Sequence, residues 1–281
     1  MTNFSLLVLG SGSALPTVNT NQSAQLLNLG SRSFLIDCGE GTQTELRRNK
    51  VKIQQIAHIF ISHLHGDHYF GLVGLLSSMQ LLGRRKAIHI YAPEGLKEIV
   101  QLQLEKWGNK LSYQINFHLL DSSSQLLHED SNIKITTLPL KHRVPCFGFL
   151  FQEKKGLRKF KLSALKKYHI PVHARKGITE GKDFTNEDGE RIANDELTDP
   201  PPKPRSYAYC SDTTFYQVLI DQLPAVDLLY HEATFLDKDL DLAKKTFHST
   251  AKQAAKVAAL TGAKRLIIGH FSNRYKSKIA F

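Results

Sequence analysis

Residues 61–70 read ISHLHGDHYF, with three histidines and an aspartate inside six positions. Neutral imidazole and carboxylate are the donors that divalent transition metals take, and no thiolate accompanies them here, which suits Zn²⁺ and stays within reach of Mn²⁺ or Fe²⁺. In an extended segment alternate side chains point the same way, so His63 and His65 can grip one ion, while a turn into a helix sends Asp67 and His68 toward a neighbouring position. Other donors close apolar runs elsewhere: His142 ends ITTLPLKH, Asp212 ends SYAYCSD and His270 ends RLIIGH. Strand ends of one sheet system share a face, so these groups can converge. The expected arrangement puts His63, His65 and His142 on one ion and Asp67, His68 and His270 on a second, with the Asp212 carboxylate between them. One such histidine alone is ordinarily a surface or core residue; the HxHxDH pattern is what singles these out. His58, His89, His118, His128, His169 and His173 read as ordinary residues.

The elements that must place these donors read as strands alternating with helices. FSLLVLG, SFLIDCG, AHIFISH, AIHIYAP and NIKITTLPLKH are strand-like in the first half, and SYAYCSD, VDLLYHEAT and RLIIGHF in the second. GLVGLL after the cluster and PEGLKEIVQLQLEKW are helix-like. Such alternation argues an α/β architecture with helices packed outside the sheets. Gly10-x-Gly12 after the first strand lacks the third glycine and the helix of a dinucleotide fingerprint, so it reads as a tight turn.

The 281 residues suffice for a sizeable core, and 37 Lys+Arg against 26 Asp+Glu give a formal +11. That excess fits a lysine-rich surface or a polyanionic partner, and charge alone does not choose. Cys38, Cys146 and Cys210 form no C-x-x-C, which argues against a disulfide framework and for a reducing cytoplasm. The N-terminal apolar run is too short for a signal peptide or a membrane span, so the expectation is a cytoplasmic chain without membrane contact. The middle differs. Residues 154–176 carry nine Lys/Arg and no acid, residues 177–199 carry eight acids and two bases, and PPPKPR follows at 200–205. A structureless loop of that length is improbable in a compact domain. The stretch therefore reads as an extension inserted between two core strands.

SHLHGDH, with LKHRVPC, CSDT and IIGHFS, resembles the metallo-β-lactamase superfamily, and within it the tRNase Z (ribonuclease Z) family most closely. The family's HEAT stretch stands as His231-Glu232-Ala233-Thr234, its HST stretch as His248-Ser249-Thr250, and its GH-(I/F)-S-x-RY stretch as Gly269–Tyr275; LGSGSALPT and DCGEGTQ also match. The proline-led loop, Lys- and Arg-bearing in the family, is here Pro16-Thr17-Val18-Asn19-Thr20-Asn21, and relatives continue past the position of Phe281 without adding any ligand named above. The resemblance implies an αββα sandwich over residues 1–281 with an inserted tRNA-binding arm at 153–203. It implies two zinc ions per subunit and a homodimer acting on precursor tRNA. The arm's Lys154, Lys155, Arg158, Lys159, Lys161, Lys166, Lys167, Arg175 and Lys176 are its expected phosphate contacts.

Removing a 3′ trailer by hydrolysis requires an activated water, neutralised phosphate charge and a protonated leaving oxygen. Two metals serve the first two needs. Asp67 is the expected acceptor of the water proton. His248 is the candidate acid, with Glu232 orienting it. Thr250 and Gln253 form a T-x-x-Q capping box, so His248 sits just before a helix N-terminus, where phosphate is favoured. A small-molecule hydrolase or general phosphodiesterase of the same fold would share the ligands. It would have no use for a fifty-residue basic insertion or for His248 beside Glu232. A nucleic-acid-binding protein with a vestigial site would have lost ligands, and none is lost here.

Overall fold

The computed structural model describes residues 3–106, 111–121 and 124–275. Six strands, β1 (Phe4–Gly10), β2 (Ala24–Leu29), β3 (Arg32–Ile36), β4 (Ile56–Phe60), β5 (Ile88–Ala92) and β6 (Ile115–Leu119), lie side by side in sequence order. A second six-stranded sheet contains β7 (Leu126–Glu129), β8 (Ile133–Pro139), β9 (Phe147–Glu153), β10 (Ser206–Cys210), β11 (Leu228–Glu232) and β12 (Leu266–Gly269), in the order β12-β11-β10-β9-β8-β7.

Successive residues of a strand face opposite ways, yet Phe34 and Leu35 of β3, and Ile59 and Phe60 of β4, are all fully buried. Both faces of the first sheet are therefore covered. Leu35 and Ile59 pack in one core with Leu46 of helix Thr42–Arg48, Leu75, Leu76 and Met79 of helix Leu72–Leu81, and Val100 of helix Leu96–Lys106. Phe34 and Phe60 turn the other way: Phe34 meets Phe151 at 6.0 Å between ring centroids, and Phe60 meets Phe149 at 5.3 Å, both partners on β9. Burying one such ring is worth about 1.5–3 kcal/mol, so this aromatic layer is a main bond between the sheets. On the far side, Ala208, Cys210 and Leu229 pack with Leu219, Leu223, Val257 and Ala258 of helices Gln217–Gln222 and Ala251–Thr261 and the segment after the first. The layering is helix, sheet, sheet, helix. Among the described residues, no helix is long and apolar enough to cross a membrane.

At one edge of the inter-sheet layer, imidazoles collect. His58 and His89 are cross-strand partners stacked at 5.0 Å, His89 Nδ1 lies 2.9 Å from His118 Nε2, and His58 meets His128 of β7 at 4.6 Å. Burial, then the neighbouring imidazoles, push His58 down to about 3, so His58 is neutral.

Gln152–Arg205, with Glu129–Lys134, forms a separate compact unit. The segment that reads as an extension has its own small core of Ala164, Ile170, Ile178, Ile192 and Leu197. Helices Leu162–Tyr168 and Val172–Thr179 and two short strand pairs enclose it. Asn194 pins the centre, its Nδ2 donating to the Ile178 and Lys182 carbonyls at 2.7 and 2.6 Å.

The first helix signal is displaced from its sequence reading. The strand stops at Phe60, and His63 and His65 lie in the connection before helix Gly66–Tyr69, so they follow a strand rather than form its end. Trp107, at the end of the helical stretch predicted over 93–107, falls outside the described residues, and the helix runs Leu96–Lys106.

Candidate metal centre

The connections leaving β4, β8, β10 and β12 bring seven donors to one place. His65 Nδ1 lies 3.0 Å from His63 Nε2 and 3.3 Å from His142 Nε2. Asp212 Oδ2 faces this trio, 3.5 Å from His63 Nε2 and 3.8 Å from His142 Nε2. Beside it, His270 Nε2 lies 3.3 Å from both His68 Nε2 and Asp67 Oδ2. Asp212 turns its other oxygen to this second group, Oδ1 lying 3.2 Å from His270 Nε2 and 3.6 Å from His68 Nε2. The donor atoms of His63, His65, His142 and Asp212, and those of Asp67, His68 and His270, fall in two sets whose members lie within 4.8 Å of one another.

The residues fit a cation. Ring nitrogens approach one another at hydrogen-bond distance, and Asp212 Oδ1, though buried, has no hydrogen-bond donor among the described residues. A buried carboxylate oxygen without a donor is costly until a cation or proton neutralises it. Imidazole and carboxylate with no thiolate point to a borderline metal ion.

An outer ring of groups fixes how each imidazole presents itself. His68 Nδ1 donates to Asp37 Oδ2 at 2.7 Å and His142 Nδ1 to the Phe247 carbonyl at 2.9 Å, so in each ring Nε2 is the nitrogen left for the centre. Thr234 Oγ1 gives its only proton to Glu232 Oε2 at 2.7 Å, so at 2.9 Å it accepts from His270 Nδ1, with the same result for His270 Nε2. Asp37 is a hub that the motif reading missed. It is fully buried, and it also accepts from Ser62 N at 2.8 Å, Ser62 Oγ at 3.0 Å and Tyr209 OH at 2.6 Å. The one signal for it was its place in DCGEGTQ. Asp37, Ala14, Phe247 and His270 all adopt positive φ, between 55° and 61°, a region that non-glycine residues seldom enter.

Burial alone would drive His68 down, but Asp212, Asp37 and Asp67 outweigh it and hold the imidazole up to about 10. The same coupling works against burial to hold Asp67 and Asp212 below the usual carboxylate range, through His270 and His68. His63, His65 and His142 are instead lowered, by burial first, and stand ready as neutral donors. An arriving cation displaces the shared protons, so uptake is coupled to proton release.

His248 stands next to this assembly. Its Nδ1 lies 2.9 Å from Glu232 Oε1 and 3.9 Å from Asp212 Oδ2. Burial would lower it, yet the Glu232 and Asp212 carboxylates raise it to about 9. Glu232 is fully buried and also accepts the amides of Thr213, Thr234 and Ser249 at 3.2, 2.9 and 2.9 Å. The capping box is present, Thr250 Oγ1 accepting from Gln253 N and Gln253 Oε1 from Thr250 N. The expected anion-receiving role of that helix end meets a difference: the amides of residues 249, 250, 251 and 253 are all taken internally, so it offers field rather than free donors there.

The basic residues proposed for RNA divide in two. Lys154 pairs with Glu129, Arg158 with Asp195 and Thr198, and Lys161 reaches the Asp195 carbonyl. Arg175 bonds the Ile170 carbonyl and Lys167 the Tyr168 hydroxyl. Lys155, Lys159, Lys166 and Lys176 are exposed and have no ion pair among the described residues.

A protein named Ribonuclease Z from Porphyromonas gingivalis is 47% identical over 277 residues, covering 98% of this chain and 91% of its own length. One of the same name from Bacteroides fragilis is 46% identical over 279 residues, covering 99% and 92%. The structure of human tRNase Z, short form, superposes with a TM-score of 0.72 at 31% identity, covering 97% of this chain and 94% of that one. The metallo-β-lactamase fold protein YhfI from Bacillus subtilis, at 19% identity and a TM-score of 0.64 over 95% and 86%, shares the fold. Residues 4–169 also match the model of the family described as Anti-Pycsar protein Apyc1.

Proposed function

The chain belongs to the ribonuclease Z family and is an endoribonuclease that removes the 3′ trailer from precursor tRNA, and we propose that two zinc ions per subunit serve that reaction. The Apyc1 match stops at residue 169, inside the basic unit, whereas the relatives named Ribonuclease Z align along nearly the whole chain. His63, His65 and His142 would hold one ion and Asp67, His68 and His270 the other, with Asp212 shared. The observation that carries this reading is the direction of the two Asp212 oxygens, one toward each group.

When bound, the ions lower the pKa of water and offset the charge gathering on the phosphate oxygens. Asp67 takes the proton from the attacking water. The bond from phosphorus to the tRNA 3′-oxygen breaks, leaving a 3′-OH on the tRNA and a 5′-phosphate on the trailer. His248 gives that oxygen its proton. Its Nδ1 is bound to Glu232, so Nε2 is the donating atom, and Glu232 both orients the ring and keeps it protonated at neutral pH. Lys155, Lys159, Lys166 and Lys176 of the unit at 152–205, within the arm assigned to 153–203, meet tRNA phosphates. Two subunits form a homodimer in which one subunit's arm serves the other's centre; sedimentation equilibrium showing only a 32 kDa species at micromolar concentration would count against that. The buried free thiols of Cys38, Cys146 and Cys210 support a reducing cytoplasm.

Incubation with a 3′-extended precursor tRNA, followed by mapping of the cut, tests the activity. Cleavage at the trailer junction with a 3′-OH on the tRNA is expected. Cutting at scattered positions, or only of small phosphodiesters, would overturn it.

A further inference from the structure

The loop between β1 and β2 reaches the centre through one backbone amide. Ala14 N donates to Asp67 Oδ2 at 2.7 Å, across 53 residues of sequence. Ala14 lies in the middle of a γ-turn, Leu15 N to Ser13 O at 2.8 Å, with φ at 59°. Turns of that sign are strained for a residue with a Cβ, and they persist only where the surroundings impose them. Gln22 is what grips this one. It is 4% exposed, its Nε2 donates to the Ala14 carbonyl at 2.7 Å, and its Oε1 accepts from Glu40 N at 2.9 Å. Gly39 lets Gln22 and the Asp67 backbone close in together, for a Cβ there would stand 2.6 Å from the Gln22 Cβ and 2.3 Å from the Asp67 carbonyl oxygen.

We propose that Gln22 is a positioning residue of the second metal position: it fixes the Ala14 peptide so that the Ala14 N–H holds Asp67 beside His68 and His270. The inference rests on the two-ion reading. Both polar ends of the Gln22 amide are used and both partners are backbone, so the side chain has no orientation left to choose. Without the bond to its carbonyl, the Ala14 peptide is free to leave the strained turn, and its amide then turns away from Asp67. Asp67 would keep its sequence position and lose its aim. The first ion, held by His63, His65 and His142, has no contact with this loop among the described hydrogen bonds.

Competition against a fluorescent zinc chelator, resolving the two equivalents, tests this on Gln22→Glu and Gln22→Met. The first keeps an acceptor for Glu40 N and loses the donor to Ala14. The second loses both without burying a charge, and it stands in if the first does not fold. Expected is a 10–100-fold weaker second equivalent with the first unchanged, the usual effect of removing a group that orients a ligand. With precursor tRNA, kcat falls and KM holds. Asn273→Ala serves as comparison: Asn273 Nδ2 tethers the same loop through the Leu15 carbonyl at 2.8 Å but does not touch Ala14. It should leave the second equivalent within about twofold. A second equivalent of wild-type strength in both Gln22 variants, equal weakening of both equivalents, or an equal loss in Asn273→Ala would overturn the proposal. Uptake of a single equivalent by the wild-type protein would sink the two-ion reading, and the proposal with it.

Discussion

Asp37→Asn changes one atom in a fully buried carboxylate that accepts four hydrogen bonds. Four donors converge on Asp37: Ser62 N on Oδ1, and Ser62 Oγ, His68 Nδ1 and Tyr209 OH on Oδ2. An amide has one oxygen. Its better orientation puts that oxygen where Oδ2 was and sets its NH₂ against the Ser62 amide. One bond to a charged acceptor is then lost, about 1.5–3 kcal/mol. The other three survive with a neutral acceptor, each weaker by roughly 0.5–1 kcal/mol because charge-assisted bonds are about twice as strong. The sum is about 3–6 kcal/mol, a large share of a typical domain's stability of 5–15 kcal/mol. His68 Nε2, which owes its orientation and basicity to the bond at Nδ1, should also hold its ion about 10–100-fold more weakly. Urea unfolding of the metal-free protein reads the first effect and chelator competition the second. A stability loss under about 1 kcal/mol together with unchanged zinc affinity would refute the hub described here.

His248→Ala should lower kcat on precursor tRNA by about 10²–10⁴ while leaving zinc content intact, with a smaller defect on bis(p-nitrophenyl) phosphate, whose leaving group needs no proton; an equal defect on both substrates, or loss of zinc, removes the general-acid role. Replacing Lys155, Lys159, Lys166 and Lys176 by alanine should raise KM for precursor tRNA and flatten the salt dependence of binding by up to about four units of slope, sparing the small phosphodiester; an unchanged slope would show that these lysines do not meet RNA. Arg158→Ala, by contrast, should destabilise its unit, since Arg158 is tied to Asp195 and Thr198. His58, at about 3 in the folded chain against an ordinary 6.5, binds its proton more readily once unfolded, so stability should rise with pH between those values, by up to about 1.4 kcal/mol per unit through this residue. In metal-free protein, His58→Phe should reduce that slope, and identical slopes in variant and wild type would count against a neutral His58.

The HxHxDH spacing and the His142, Asp212 and His270 that follow apolar runs were legible because donors that converge must leave their strands in a shared direction. The helix cap at Thr250–Gln253 was legible for a related reason: its partners are three residues apart. Asp37, Ala14 and Gln22 were not. Asp37 meets His68 across 31 positions and Tyr209 across 172, and Ala14 offers only an amide, which no residue type advertises. Strands β2, β6, β7 and β9 were also not separated out; in β2 and β9 the cause is burial on both faces through most of their length, as in FGFLFQE, which removes the alternation. The small core at 152–205 was masked by charge, and only the fold shows that Arg158 and Lys154 hold acids of their own unit rather than standing free.

The seven donors are divided between the sheets. The connection after β4 supplies His63, His65, Asp67 and His68, and the connections after β8, β10 and β12 supply His142, Asp212 and His270. Neither half of the chain completes a set of donors alone: one set needs His142 and the other needs His270. The first sheet pairs each strand with its neighbour in sequence. The centre is therefore complete only where the two sheets meet, since neither sheet by itself carries a full set of donors.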